Sequence, residues 1–456
     1  MTFIISLMIS SVLAADGSLS SEVINNIRSS FKMDLNTRAM YNAITNNDIK
    51  NLALNRDIVR SNNDIFSHKI KTHGVTNQKS SGRCWLFAGL NILRPKVIEK
   101  YKLSKFEFSE NYLSFWDKME KANSFLEFII ELRDRDLLDR ELEIILRRPF
   151  GDGGYWKYVV ALIDKYGAVP KEIMPETHSS EKTGDMNKLV SRKLRTGAVE
   201  LRSMYAGGKT VDELRAAKEK ILDDIYRMLV MNLGEPPTEF EWRFEDRDSV
   251  VSEKQTYTPL TFYKEFVGVD LKEYVNLLND PSKDYGKHYQ LRLSRNIYDG
   301  EDVDYANVQI DKLKEMAEKS VLDDEPVWFG NDVGKDQSRD LGIMAMDIYD
   351  YGSIYNTDMS LTKADQLMYR ESAPNHAMVL TGVDIKDDKP VKWLVENSWG
   401  DKNGNEGYWT MYDSWFDNHV YNVIVKKKYV PKEILKIFDQ PVIICPPWDP
   451  MYSIFE

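Results

Sequence analysis

Hydrophobic spacing changes along this chain, and that change limits its fold more than any other feature. Through the first half, apolar residues recur three and four apart, the period of a helix packed on one side. In the last third they fall in short β-branched and aromatic runs divided by turn residues. Asn111 to Leu132, with Tyr112, Phe115, Trp116, Met119, Phe125 and Phe128, predicts a helix. Tyr155 to Tyr166 predicts another, closed by Gly167. Val211 to Met231 predicts a long amphipathic helix ended by Gly234-Glu235-Pro236-Pro237. Ser18 to Asp57 is polar with spaced apolar residues, consistent with short helices wrapping a surface. Strands are expected at Pro326–Phe329, Ala377–Asp384, Val391–Glu396, Tyr408–Tyr412 and Val420–Val425. A helical beginning and a β-rich end predict an α+β fold, a helical half facing a sheet or barrel half.

The chain has 456 residues and a formal net charge of −11. At domain sizes of about 100–200 residues this allows several domains or one elaborated catalytic domain. The acidic balance gives no general affinity for nucleic acid, whose phosphates require a basic surface. The one basic run, Lys426-Lys427-Lys428, follows the alternation Tyr421–Val425 and reads as a solvated strand end. Phe3 to Ala15 is apolar but too short for a membrane span. It has the core of a secretory signal, with Val12-Leu13-Ala14 as a cleavage context, although no Lys or Arg precedes Arg28. Export is the favoured expectation, and a cytoplasmic location is the alternative.

Two cysteines are too few for a disulfide framework. Cys84 opens a run, through Leu93, that is hydrophobic on all sides and predicts a buried helix, broken or kinked at Pro95. Amide N–H groups and the helix dipole at its start favour a thiolate. A buried structural cysteine is the plainer alternative, and Cys84 alone favours it. Gln78 lies six residues earlier in a polar loop. Its side-chain amide can donate to an oxyanion, with the Cys84 N–H as second donor, or it is a solvated loop glutamine. Of the six histidines, His376 opens the apolar run Ala377-Met378-Val379-Leu380, which sets an imidazole at the mouth of a core strand; a buried structural histidine is the alternative. Asn397, 21 residues later in Glu396-Asn397-Ser398-Trp399-Gly400, can accept the imidazole N–H and fix its tautomer, with Trp399 covering that bond. By itself an Asn before a turn means little. Cys445 lies beside Pro446, outside any helix start, and reads as inert; bridging it to Cys84 would remove the nucleophile.

Together these residues resemble the papain superfamily. Gln78-Lys79-Ser80-Ser81-Gly82-Arg83-Cys84-Trp85 has its Gln-to-Cys spacing and its aromatic after the cysteine, and Asn397-Ser398-Trp399-Gly400 matches its Asn motif. There are two departures. Ser81-Gly82-Arg83 stands where a Gly-Ser/Ala pair is usual, and 292 residues separate Cys84 from His376. The usual separation is about 130–150. Both departures point to one branch. The sequence is similar to the bleomycin hydrolase and aminopeptidase C family over Thr76–Pro95, Asn111–Ala122, Asp152-Gly153-Gly154, His376–Asp384, Glu396–Gly400 and Pro446–Met451. The likeness runs from about Ser18 to Glu456.

The resemblance implies a papain-like fold with a helical left half, a barrel-like right half, large helical insertions and a C-terminal arm in the active-site cleft. It implies an intracellular homohexamer with sites facing a central cavity. The activity implied is a broad aminopeptidase that also hydrolyses the amide of bleomycin, on peptides with a free N-terminus. No metal, organic cofactor, nucleic acid or membrane partner is implied. Cys84 is then the nucleophile, His376 the base, Asn397 its orienting residue and Gln78 part of the oxyanion hole. Gly153 and Gly154 bond substrate backbone, where only glycine allows close approach. The arm, Trp448 to Glu456, lies in the cleft, with the terminal carboxylate of Glu456 drawing the substrate amino group. Tyr452-Ser453-Ile454-Phe455 is bulkier than the Gly-Ala-Leu-Ala usual there, which leaves the reach of the arm open. On this reading the chain divides into a signal or apolar extension (1–17), a wrapping segment (18–73), the helical half with the nucleophile (74–170), a largely helical insertion (171–325), the β-rich half with His and Asn (326–440) and the arm (441–456).

Other chemistries fit less well. Asp401–Gly407 resembles a calcium loop, but Glu406 and Tyr412 occupy positions that need Gly and Glu, so it reads as a β-turn loop. The sequence has no His-Glu-x-x-His helix, Gly-x-Ser-x-Gly elbow or phosphate loop. An amidase or transferase using the same pair, and an inactive hexameric scaffold, are the rival function classes. The complete catalytic set weighs against the scaffold.

Overall fold

The computed structural model of the protein describes residues 17–451. The apolar leader and the end of the arm, Tyr452 to Glu456, lie outside the described residues. Two compact units are present, one formed by the chain up to Asn55 with Tyr349–Asp358, the other by the rest.

In the first unit the helices Ser21–Ser30 and Leu35–Asn46 start at Ser20 and Asp34, whose side chains accept from Val23 N and Thr37 N. Neither helix buries a residue. Leu19, Val23, Ile27 and Phe31, each four apart, form an exposed apolar stripe. The Asp350 amide donates to Ala53 O at 2.8 Å.

In the second unit every residue of the helix Cys84–Asn91 is buried. Pro95 falls in the first turn of the next helix, Arg94–Lys100, where its missing N–H costs nothing. The helix Glu110–Glu131 is capped by Ser109, and Trp156–Tyr166 is ended by Gly167 at φ +71°. A Cβ on Gly167 would lie 2.2 Å from Pro259 O, so both the angle and the space require glycine. Val211–Leu233 begins with a Thr210/Glu213 capping box. It packs beside Gly184–Ala206, a helix of equal length that hydrophobic spacing did not reveal.

The sheet runs in the order Ile443–Cys445, Lys287–Leu291, Asp304–Asn307, Tyr274–Leu278, Val420–Lys426, Val327–Asn331, His376–Lys386, Lys389–Glu396, Tyr408–Tyr412, Ile343–Met344 and Gln337–Ser338. The five strands expected from the sequence make its middle. Segment 171–325 is helical at both ends, in Gly184–Ala206 and Val211–Leu233 and again in Ile310–Leu322; its strands between Tyr274 and Asn307 extend the sheet on one side. Lys426 ends its strand and pairs with Glu325, while Lys428 pairs with Asp323.

Both faces of the central sheet are covered, which explains the unbroken apolar run after His376. Ala377 and Val379 enter the core shared with the helices, whereas Met378 and Leu380 enter a second core with the helix Ile310–Leu322. His376–Lys386 and Lys389–Glu396 form a hairpin turned by Asp387 and Asp388, both at positive φ. That hairpin returns the chain to its starting end, so Asn397 arrives beside His376. Trp328 ties the sheet to the helices by donating Nε1–H to Trp85 O at 3.0 Å.

Candidate active site

Cys84 is the first residue of its helix, and Arg83 before it makes no side-chain cap. The helix's first amides are therefore left to other acceptors. The N–H groups of Ala377, Trp85 and Cys84 itself point to the sulfur and favour its thiolate. Burial acts the other way and pushes the thiol up to about 11, with the Asp152 charge adding to that rise. Burial also holds His376 down to about 4, against a smaller opposing effect of its bond to Asn397. Each group alone therefore resists charge. A proton passed from thiol to imidazole creates two opposite charges together, and these stabilise one another.

His376 and Asn397 are both buried, and Nε2 lies 2.9 Å from Asn397 Oδ1. The same oxygen accepts the Ser398 N–H at 2.8 Å. An amide N–H only donates, so that atom of Asn397 is oxygen, and the imidazole must carry its proton on Nε2. Nδ1 is then the basic nitrogen. The Trp399 ring lies 4.9 Å from the His376 ring and keeps water from the bond. Arg339 in turn covers Trp399 at 4.6 Å.

Gln78 is buried and bound on both sides. Its Nε2 donates to Ser81 O at 2.6 Å, and its Oε1 accepts the Ser398 hydroxyl at 2.6 Å. The Gln78 N–H donates to Ser398 O at 2.8 Å. One amide hydrogen remains for an oxyanion. The glutamine loop and the asparagine motif, far apart in sequence, are thus one hydrogen-bonded unit.

Gly154 lies flat against Trp85, where a Cβ would come 2.5 Å from ring carbon Cε2. The Gly153 carbonyl accepts from Lys121 Nζ at 2.6 Å. Asp152 anchors this loop. Its carbonyl accepts Trp85 Nε1–H at 2.6 Å. Its carboxylate accepts from Lys118 Nζ at 2.5 Å, Asn187 Nδ2 at 2.9 Å, Gly82 N at 2.9 Å and Thr183 Oγ1 at 2.5 Å. These partners outweigh burial and hold the carboxyl far below the usual carboxylate range.

A cavity of about 1100 Å³ adjoins the site, lined in part by Phe150, Gly151, Ser372, Asn375 and Trp448. The start of the arm is firmly held beside it. Trp448 lies under the Arg140 guanidinium at 4.1 Å, and its carbonyl accepts from Arg370 at 3.2 Å. Asp449 pairs with Lys283 at 2.9 Å. Met451 is buried, its carbonyl 3.4 Å from the Tyr155 hydroxyl. Glu456 lies outside the described residues. Cys84 and Cys445 are both free thiols.

Sequence reasoning assigned no role to Lys118, Arg83, Glu176 or Ser398. Lys118 carried no signal, since Asp117, Glu120 and Lys121 stand beside it in the same helix. Glu176 carried none, because its partner Arg83 is 93 residues away.

The family described as Peptidase C1-like matches residues 18–452. The chain is 42% identical over 414 residues to an aminopeptidase C of Listeria monocytogenes, covering 90% of this chain and 93% of that one. It is 38% identical over 427 residues to the bleomycin hydrolase of Homo sapiens, covering 91% and 94%. The crystal structure of PepW from Lactobacillus rhamnosis superposes with a TM-score of 0.93 at 41% identity, over 95% of this chain and 99% of that one.

Proposed function

This chain belongs to the Peptidase C1-like family and is a cysteine aminopeptidase, and we propose that Cys84, His376 and Asn397 carry its chemistry. One observation carries the assignment. Asn397 Oδ1 is committed to a backbone donor, so His376 donates from Nε2 and keeps Nδ1 basic, on a strand whose next amide faces the Cys84 sulfur.

In this reading His376 takes the thiol proton and the thiolate attacks the carbonyl carbon of the peptide bond. The negative charge on the carbonyl oxygen meets the Cys84 N–H and the remaining amide hydrogen of Gln78. His376 then protonates the leaving amine. Water, deprotonated by His376, releases the acyl group and restores the thiol. Asn397 holds one ring orientation through all these steps.

Substrates are peptides with a free amino terminus and varied first residues, and the amide of bleomycin belongs with them. Gly153 and Gly154 lie along substrate backbone. The arm narrows the cleft, and the negative charge of Glu456 draws the substrate ammonium. The fixed positions of Trp448, Asp449 and Met451 support an arm that stays in place. Assembly as a homohexamer is part of the proposal. Its support is the exposed stripe of Leu19, Val23, Ile27 and Phe31, on helices that bury nothing within one chain. Export with removal of residues 1–14 completes it, and a native amino terminus at Ala15 is the expected result of N-terminal sequencing.

The test is hydrolysis of aminoacyl-coumarins set against N-blocked counterparts. Cleavage of the free-amine substrates alone, abolished in Cys84→Ala and by iodoacetamide, is expected. Full activity in Cys84→Ala would sink the mechanism.

A further inference from the structure

Ser81-Gly82-Arg83 departs from the usual residues before a papain-like cysteine, and the structure assigns that departure a task. We propose that Arg83, Glu176 and Ser81 form a positioning device for Gln78, setting the direction of its oxyanion donor. The proposal rests on the roles of Cys84 and Gln78 given above.

The Arg83 side chain is 1% exposed, which is unusual for a charge and demands a partner. Glu176 supplies it in a two-pronged pair, Nη1 to Oε1 at 3.1 Å and Nη2 to Oε2 at 2.8 Å. Glu176 is held in turn by the Ser180 hydroxyl at 2.5 Å. The guanidinium lies 5.2 Å from the Phe87 ring centre. With both ends of its fork fixed, the third nitrogen of Arg83 is set in place as well, and its Nε–H goes to Ser81 Oγ at 3.0 Å. Ser81 Oγ donates its own proton to Gln78 O at 2.6 Å. Ser81 O meanwhile takes one Gln78 amide hydrogen at 2.6 Å. Ser81 therefore grips Gln78 at backbone and side chain together, and Arg83 holds Ser81 still.

The Gln78 amide plane is fixed at its other end by the Ser398 hydroxyl. With Ser81 O occupying one N–H, the geometry leaves the second in a single direction. Lys79, within this loop, sits at φ +55°, a conformation a lysine keeps only when its surroundings impose it. The Arg83–Glu176 pair is the buried part of those surroundings. Its contacts go to Ser81, Ser180 and Phe87, so its effect on the reaction passes through Gln78.

The experiment measures kcat and KM on an aminoacyl-coumarin for Glu176→Gln, Ser81→Ala and Gln78→Ala, and for each of the first two combined with Gln78→Ala. The rate of Cys84 alkylation by iodoacetamide is measured beside them, because that displacement forms no oxyanion. Misaiming a donor is expected to lower kcat roughly 10- to 100-fold in the first two variants, with KM and the alkylation rate little changed. In the Gln78→Ala background the same changes are expected to cost nothing further. Ser81→Ala keeps the buried ion pair and serves if Glu176→Gln does not fold. Equal losses with and without Gln78, a parallel fall in alkylation, or an unchanged kcat in Ser81→Ala each overturn the proposal. A wild type that neither hydrolyses the substrate nor alkylates at Cys84 overturns the underlying site assignment instead, and this proposal with it.

Discussion

Asp152→Asn changes one atom type at a carboxylate near Cys84 that accepts from four donors. Asp152 Oδ1 faces Lys118 Nζ and Asn187 Nδ2, and Oδ2 faces Gly82 N and Thr183 Oγ1. All four are donors. An asparagine keeps one side and turns its NH2 against the other. Lys118, only 1% exposed, then keeps a buried charge without its counterion. Asp117 does not replace it, being engaged by Lys121 at 2.6 Å. Breaking a buried pair on one side costs about 3–5 kcal/mol. Unfolding entropy of roughly 2.1 cal/mol/K per residue, over a body of about 400 residues, gives about 0.8 kcal/mol/K, hence a Tm lower by about 4–6 °C. Thermal melting reads this directly, and kcat should fall with it because the Gly82 amide loses its anchor. Adding Lys118→Met removes the stranded charge and should recover most of the Tm. An Asp152→Asn protein that melts within about 1 °C of wild type, or a double variant no better than the single, would refute the reasoning.

Asn397→Ala should lower kcat roughly 100-fold while KM holds, since the imidazole loses its orientation and the cleft is untouched; steady-state kinetics separate the two. His376 is held by burial at about 4 rather than 6.5, so its neutral form adds stability that is complete above 6.5. That stability is lost as pH falls toward 4, because the unfolded chain takes up the proton first. The urea midpoint should drop across that window, and His376→Gln should flatten the drop; an equal slope in the variant would count against it. Ending the chain after Met451 should open the cleft, so that N-blocked peptides, resistant to the full-length protein, are cleaved at internal bonds in a mass-spectrometric digest.

Local patterns carried much of this protein. The all-round apolar run after Cys84 could only be a buried helix, and it is one. Gly234 marked the end of a long helix because caps are decided within four residues, and the Thr210/Glu213 box that starts it is equally local. The interval between His376 and Asn397 was legible for the same reason. A strand, a tight turn and a returning strand bring their outer ends together without help from the rest of the chain. Gly184–Ala206 escaped because Gly184, Thr196 and Gly197 weaken its pattern; Gly197 is there so that Ile221 can approach, a Cβ on it lying 3.0 Å from that side chain. Lys287–Leu291 and Asp304–Asn307 are short and polar and become strands only through the neighbours that complete their hydrogen bonds.

Which helix could carry a nucleophile and which hairpin could carry its base were legible in short stretches of chain. Backbone hydrogen bonding and side-chain period act over a few residues, and that is why. The tertiary structure alone decided that these two elements meet, with Ala377 N–H at the Cys84 sulfur, and that Gln78 is gripped between Ser81 and Ser398. It alone decided that Glu176 neutralises Arg83 and that Lys118 neutralises Asp152. A buried charge must find its opposite wherever the packing brings one, and nothing in the local spacing of residues says where that will be.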